Sequence, residues 1–384
     1  MSYLLLTGAT GAVGEELLER WLTRTQDRVA VLVRGDNAAA RFDAMVAELA
    51  QRTGGDAWKD RLELVRGDVT APGLGLAAAD RDRITGQVTA ILHSAANTKF
   101  SQAKDEAEAQ NTGGAKQVLA LARACSKLEK LGYLSTVYVA GMRTGKVLEE
   151  ELEHDAGFVN FYEASKYAAE QELRRAWKDL PAACYRLSTV LGDSRTGEVR
   201  RFNALHQSLK LLFHALAPML PGSAHDPVDL VPIDYAADAV FELFAHRFTP
   251  RTTYHVSGGT KNLFTLEQLL DEAITSFEEL SPKWKKRGIA RPAIVDLATY
   301  RMFEGSVEQM GNDVLLQVLR ALSHFAPQLT FPKDFDDAGT RKALKGSGIQ
   351  AAPMKKYFRR VMQYCLDSSW GGKSGLVTRK AEGA

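Results

Sequence analysis

Cysteine is scarce in this chain, with three in 384 residues. Cys125, Cys184 and Cys365 lie far apart, are odd in number and form no C-x-x-C pair, which argues against a disulfide framework and a zinc cage. No metal is expected, and such thiols fit a reducing cytoplasm. Charge of one sign is not in excess either. A formal net charge of +2 is close to neutral for this length, so nucleic acid is not expected as the main partner. Long apolar runs are missing too. Residues 3–6 are stopped by Gly8, too short for a signal-peptide core. Residues 211–220 carry His214 and Pro218 and fall short of the roughly 20 residues that a membrane span needs, so no transmembrane segment is expected. Internal repeats and low-complexity tracts are not found. What is present is the composition of a globular protein, 45% hydrophobic and 25% charged, with length for one large domain and a smaller one.

Up to about residue 191, short apolar runs alternate with helical periodicities, the pattern of repeated βαβ units. The spacing predicts strands over 3–7, 28–33, 62–67, 88–94, 130–136 and 182–187, and helices over 12–24, 38–53, 105–126 and 161–177. The expected fold is α/β: a doubly wound, parallel-sheet Rossmann domain over residues 1–191 that binds a dinucleotide. A strand over 228–233, a helix over 235–246 and a strand over 253–257 are expected to return to that sheet. A smaller, mostly helical substrate-binding subdomain is expected over 192–227 and 258–370, opening with a helix over 202–216, and a fraying tail over 371–384.

Residues 7–14 read Thr-Gly-Ala-Thr-Gly-Ala-Val-Gly, where a first strand turns into a first helix. Gly8 permits the tight turn, Gly11 lets backbone approach a pyrophosphate and Gly14 allows close helix packing. Thr10, Ala12 and Val13 complete a loop whose free N–H groups suit an anion. The second strand ends Val31-Leu32-Val33-Arg34. Arg34 stands where an NAD enzyme places an acid for the ribose hydroxyls, and a guanidinium can grip a 2′-phosphate bidentately. NADPH is therefore the expected cofactor, with Arg41 assisting. Asp68 and Val69 follow the third strand, either at the adenine edge or in a simple turn. Ser94, Ala95 and Ala96 end the fourth strand with small residues that let backbone pass the dinucleotide, whereas His93 reads as a hydrogen-bonded core residue.

Tyr162 and Lys166 stand four apart at the start of a helical pattern, on one face and one turn apart. A free phenol has a pKa near ~10, and an ammonium beside it favours the phenolate. The expectation is a phenol lowered by Lys166 and a bound cofactor, with Lys166 also holding the nicotinamide ribose. A strand ending Leu134-Ser135-Thr136 precedes the pair. Either Ser135 or Thr136 could polarise a substrate carbonyl while Tyr162 supplies the proton. The order glycine loop, strand hydroxyl, Tyr/Lys pair is more specific than any one of its parts.

Together these motifs resemble the extended short-chain dehydrogenase/reductases. Within them, Leu32-Val33-Arg34, residues 93–100 (His-Ser-Ala-Ala-Asn-Thr-Lys-Phe), 135–141 (Ser-Thr-Val-Tyr-Val-Ala-Gly) and 228–235 (Val-Asp-Leu-Val-Pro-Ile-Asp-Tyr) are similar to the fatty acyl-CoA reductase and carboxylic acid reductase branch, also called male-sterility-like or thioester reductase-like. The resemblance implies a catalytic hydroxyl at Thr136, an acid at Tyr162, a ribose-binding Lys166, a phosphate-gripping Arg34 and a supporting Asn111. It also implies nicotinamide contacts at Leu187 and Ser188, although Leu187 replaces a proline frequent in relatives. The implied substrate is an apolar acyl thioester, carried by CoA or by an acyl carrier protein, reduced to an aldehyde and in some cases an alcohol. No adenylation or carrier domain is expected ahead of the chain. Residues 202–220 are the candidate acyl-pocket lining, against a plain subdomain core. Lys283, Lys285, Lys286, Arg287 and Arg291 are the candidate carrier or CoA docking cations, against a solvated face. Carbonyl reductases and sugar-nucleotide epimerases or dehydratases use the same motifs; a non-catalytic NADPH sensor should lack the Tyr/Lys pair.

Overall fold

The computed structural model describes residues 2–310, 319 and 326–372. Seven parallel strands form its central sheet: β1 (Tyr3–Thr7), β2 (Arg28–Val33), β3 (Leu62–Arg66), β4 (Ala90–His93), β5 (Lys130–Thr136), β6 (Ala182–Leu187) and β7 (Thr253–Val256). They lie in the order β7-β6-β5-β4-β1-β2-β3, every neighbouring pair parallel. The chain winds outward from β1 through β2 to β3, then crosses back to β4 on the other side of β1. The carboxyl ends of β1 and β4 therefore flank a crevice where the winding reverses. This is the doubly wound sheet that the alternating periodicities predict.

Strand alternation sorts side chains between two cores. Leu4, Leu6, Val29, Val31 and Val33 join one with Trp21, Phe241 and Phe244. Tyr3, Leu5, Ala30 and Leu32 join the other with Val118, Leu119, Ala169 and Leu173. Because both faces are covered, the strands read as continuous apolar runs. Covering them are α1 (Ala12–Arg24), α2 (Ala38–Thr53), α3 (Ala78–Gln87), α4 (Gly114–Ala124) and α5 (Phe161–Ala176). After α6 (Ala204–Phe213), α7 (Ile233–Ala245) returns to lie against α1, its Phe241 ring 5.2 Å from Trp21 at 80°. Truncating a ring such as Phe244, which is fully buried here, costs about 3–5 kcal/mol.

A third core forms where α6 meets α8 (Leu266–Leu280) and α9 (Phe358–Asp367). Leu205, Leu209 and Leu212 pack there with Leu266, Leu270, Phe277, Phe358, Val361, Met362 and Cys365, each set at helical spacing. Thr265 starts α8 with a reciprocal cap, accepting from Gln268 N (3.2 Å) while Gln268 Oε1 accepts from Thr265 N (3.1 Å).

Four expectations change. The helix over 105–126 runs unbroken from Lys104 to Ala124, but a π-helical turn at Glu108–Gly113 interrupts its α-helical register ahead of α4, and Gly114 sits against Val69. The strand over 228–233 is instead two short pairings, Pro227–Val228 and Leu230–Val231, split where Asp229 turns inward to accept from Gly258 N (2.9 Å). Pro232 caps α7, so the helix starts at Ile233 rather than at 235. In α6, Asn203 caps the start by accepting from His206 N, and the helix stops at Phe213 with Ala215 at φ +59°. α3 was not expected, because among its polar and small residues only Ile84 is buried. The tail expected over 371–384 lies, apart from its first two residues, outside the described residues.

Candidate active site

At the end of β1 the chain turns through Gly8 at φ +75°. A Cβ there would come within 2.5 Å of Ala95 N, and one on Gly14 within 2.0 Å of Gly8 O. The two glycines let the β1–α1 turn press against the end of β4. Gly11 opens α1 without a side-chain cap, so the N–H groups of its first turn, from Ala12 onward, lack that partner. A tight turn that any Cβ would fill, under an uncapped helix N-terminus, fits a dinucleotide pyrophosphate.

Across the crevice, α5 lays Tyr162, Lys166 and Glu170, each four residues on, against β5. Lys166 Nζ donates to Tyr133 Oη (2.6 Å) and to Leu134 O (2.8 Å), and lies 4.1 Å from the Tyr133 ring centroid. Glu170 accepts from Ser135 Oγ (2.9 Å) and from Arg186 Nη2 of β6 (2.6 Å). The Thr136 hydroxyl lies beside the Tyr162 phenol and favours its ionised form. Strand alternation thus separates the two candidate hydroxyls: Ser135 is tied into a buried ion pair, and Thr136 stands beside the phenol. Tyr162, Lys166 and Thr136 are all buried.

Burial pushes the Tyr162 phenol up to about 12, with the Thr136 hydroxyl opposing. Lys166 donates to Tyr133 and to the Leu134 carbonyl rather than to Tyr162. Burial also pushes Lys166 down to about 8. At neutral pH the pair is therefore a protonated phenol, suited to giving a proton, beside a cation that titrates nearby.

Beyond β4, Ser94 and Ala95 are half-buried and Ala96 is exposed. His93 Nδ1 lies 2.7 Å from Thr7 Oγ1, which accepts from Ala95 N (3.2 Å). Burial, then the Lys166 charge, lower His93 to about 3, so it is a neutral core residue, as its place in an apolar strand suggests. Asn111 sits in the π-helical turn, a feature frequent at functional sites. Its Oδ1 accepts from Asn97 N (2.8 Å), and its Nδ2 donates to Asn97 O (3.1 Å) and Ser165 Oγ (2.9 Å). Ser165 in turn donates to Tyr162 O (2.9 Å). One amide thus ties the β4 loop to the first turn of α5.

At the far end, Arg34 is exposed just after β2. Arg41 reaches back to it, Nη1 donating to Arg34 O and Nη2 to Thr10 Oγ1, both at 3.0 Å. Asp68 Oδ1 accepts from the Thr70 N–H and hydroxyl, both at 2.9 Å, which is the turn arrangement. Val69 abuts Gly114. Leu187 pairs in register with Thr136, whereas Ser188 is buried and donates to Asp229 O (2.9 Å), a joint rather than an open contact.

The family described as male sterility protein, an NAD-binding family, matches residues 6–240. The chain belongs to the male sterility protein family. Carboxylic acid reductase of Segniliparus rugosus is 32% identical over 273 residues, covering 62% of this chain and 23% of its own length. A linear gramicidin synthase of Brevibacillus parabrevis is 27% identical over 264 residues, covering 66% of the chain and 5% of its own length. Fatty acyl-CoA reductase wat of Drosophila melanogaster is 23% identical over 310 residues, covering 70% of the chain and 60% of itself. The chain thus spans less than two thirds of each of these relatives. Among solved structures, the terminal R domain from the myxalamid PKS-NRPS pathway superposes with a TM-score of 0.81 at 25% identity, over 96% of this chain and 92% of that one.

The region of this male sterility family chain expected to bind substrate divides by helical face. Leu205, Leu209 and Leu212 are core, while Lys210, Phe213 and His214 line a cavity of about 460 Å³ with Leu280, Leu366 and Trp370. None of Thr136, Tyr162 or Lys166 lines it. Lys283, Lys285, Lys286 and Arg287 are exposed around Trp284, whose Nε1 anchors the segment by donating to Phe213 O (2.7 Å). Arg291 is engaged by Asp271 (2.9 Å). Among the described residues no helix is long and apolar enough to cross a membrane, and all three cysteines are buried and free. The sequence reading missed Tyr133 and Glu170. The signal was there: Tyr162, Lys166 and Glu170 make a polar row at i, i+4, i+8 on a helix face that must meet a strand carrying Tyr133 and Ser135.

Proposed function

We propose that this chain is an NADPH-dependent reductase that takes an acyl thioester, on CoA or on a carrier protein, to the aldehyde. The reading is carried by the Thr136–Tyr162 hydroxyl pair beside Lys166 in the dinucleotide crevice. Its support for a thioester is the likeness to carboxylic acid reductase and to a terminal R domain. Gly8, Gly11 and Gly14 with the N-terminus of α1 would hold the dinucleotide pyrophosphate, and Arg34 with Arg41 would take the 2′-phosphate. When bound, the reduced nicotinamide supplies hydride. Thr136 hydrogen-bonds the substrate oxygen, Tyr162 gives that oxygen its phenolic proton, and Lys166 holds the ribose hydroxyls. The carbonyl carbon gains hydride and the oxygen gains the proton; the hemithioacetal then expels thiol and leaves aldehyde. Residues 192–227 and 258–370 serve as the substrate subdomain, and Lys283, Lys285, Lys286 and Arg287 as a docking face for an acidic carrier or CoA phosphates. A reducing cytoplasm suits the free thiols.

The test is product analysis with NADPH and a panel of acyl-CoAs, acyl-carrier thioesters, free aldehydes and ketones. Aldehyde or alcohol from a thioester is the expected result. Turnover of ketones alone would sink the thioester reading in favour of a carbonyl reductase.

A further inference from the structure

Three arginines gather at the glycine loop, and the third comes from a distant part of the chain. Thr10 Oγ1 accepts from Arg41 Nη2 (3.0 Å), and Thr10 O accepts from Arg201 Nη2 (2.9 Å). Arg41 also holds the backbone of Arg34. Arg201 lies in the connection that leaves the sheet after β6, and this connection is anchored. Ser194 donates its N–H (2.9 Å) and hydroxyl (2.6 Å) to Asp234 of α7. Gly197 is pressed onto the backbone of Arg360 in α9. Arg200, its side chain largely buried, is clamped by Glu16 of α1 at 2.6 Å and by Glu48 of α2 at 3.3 Å. With Arg200 fixed, its neighbour is delivered to the loop. The Arg201 side chain is 63% exposed, and its acidic neighbour is Glu15 at 3.6 Å. One of its five N–H donors is used on Thr10; the others face solvent or that long contact.

We propose that Arg201 is the third cation of the 2′-phosphate site and that it couples residues 193–203 to the phosphate. This rests on the NADPH reading above. A phosphate monoester carries nearly two negative charges and three acceptor oxygens near neutral pH, while Arg41 already commits two of its N–H groups to Arg34 O and Thr10 Oγ1. A guanidinium already bound to the loop carbonyl turns toward that phosphate at little conformational cost. Because the same connection opens the substrate subdomain, the phosphate is sensed where the acyl-binding region begins.

The test is calorimetric titration of NADP⁺ and NAD⁺ into the full chain and its Arg201→Ala, Arg201→Lys and Arg34→Ala variants. Amide hydrogen exchange of residues 193–203 is followed in parallel. Arg201→Ala should weaken NADP⁺ about tenfold and leave NAD⁺ within about twofold, with Arg201→Lys between. NADP⁺ should slow exchange in 193–203 in the wild type but not in Arg201→Ala. Equal loss for both dinucleotides would move Arg201 off the 2′-phosphate and overturn the proposal, as would no loss for either. If Arg34→Ala discriminates and Arg201→Ala does not, only this inference fails. If the wild type shows no preference for NADP⁺ and Arg34→Ala changes nothing, the NADPH reading falls with it.

Discussion

Tyr162 and Lys166 divide the work of a single proton. The phenol, pushed up to about 12 by burial, keeps its proton throughout the physiological range, whereas Lys166, pushed down to about 8, loses its charge just above it. Turnover is therefore expected to fall as pH rises through about 8, when the cation that positions the ribose is lost, and to show no separate limb from the phenol below that. Tyr162→Phe keeps the ring and its packing against Phe100 at 5.4 Å but removes the donor. It should lower kcat by about 10²- to 10⁴-fold, the usual worth of a positioned acid, with dinucleotide affinity unchanged. Steady-state kinetics beside fluorescence titration decides it. Undiminished turnover would take Tyr162 out of the mechanism.

At the scale of elements, the joint that positions α5 is Asn111, whose amide meets Asn97 and Ser165. Asn111→Ala leaves Asn97 N without its partner, while Asn97 O keeps Gln102 Nε2 and Ser165 Oγ keeps Tyr162 O, at about 1–3 kcal/mol for the group left unpaired. A loss of about 1–3 kcal/mol in urea unfolding is expected, together with a lower kcat, since the Tyr162 backbone loosens; unchanged stability would mean that the joint adds nothing to the fold. The sequence displays such elements unevenly. β1, β2, β5 and β6 were legible because burial on both faces forces unbroken apolar runs, and the glycine loop because only glycine fits beside Ala95 and Gly8. α3 was not, since its one buried side chain, Ile84, leaves no apolar stripe. The π-helical turn at Asn111 was hidden too, because it keeps helical composition while shifting which side chains face inward. Tyr162 and Lys166 were legible as a spaced pair; that Lys166 is held by Tyr133 was not, because the partner lies on a different element and pairing by hydrogen bond has no period.

Over the whole molecule, buried titratable groups set two opposing pH terms. Burial lowers His93 and His255 to about 3 and His206 to about 4. The unfolded chain protonates these histidines from about pH 6.5 down while the native state does not, so each removes stability as pH falls from there. Burial raises Glu15 and Glu163 to about 7 and Asp229 to about 6. These acids bind protons in the native state before the unfolded chain does, so each adds stability as pH falls toward its unfolded value. Among these most strongly shifted groups three terms oppose three between about pH 4.5 and 6.5, and the smaller upward shifts of Glu149 and Asp337 join the acids, so stability should not fall steeply there. Below about 4.5 the two glutamates are spent, and Asp229 is spent by about 3.8. The histidine terms then act with Glu16 and Glu170, which their arginine partners hold below the ordinary carboxylate value against burial and whose stabilisation is lost as pH falls, so unfolding should become steep. Glu163→Gln deletes one acid term. Relative to wild type, its stability should decline toward acid by about 1.4 kcal/mol per pH unit between 6.5 and 4.5. Urea midpoints measured across that window for both proteins decide it: parallel profiles would mean that Glu163 titrates alike in the folded and unfolded chains.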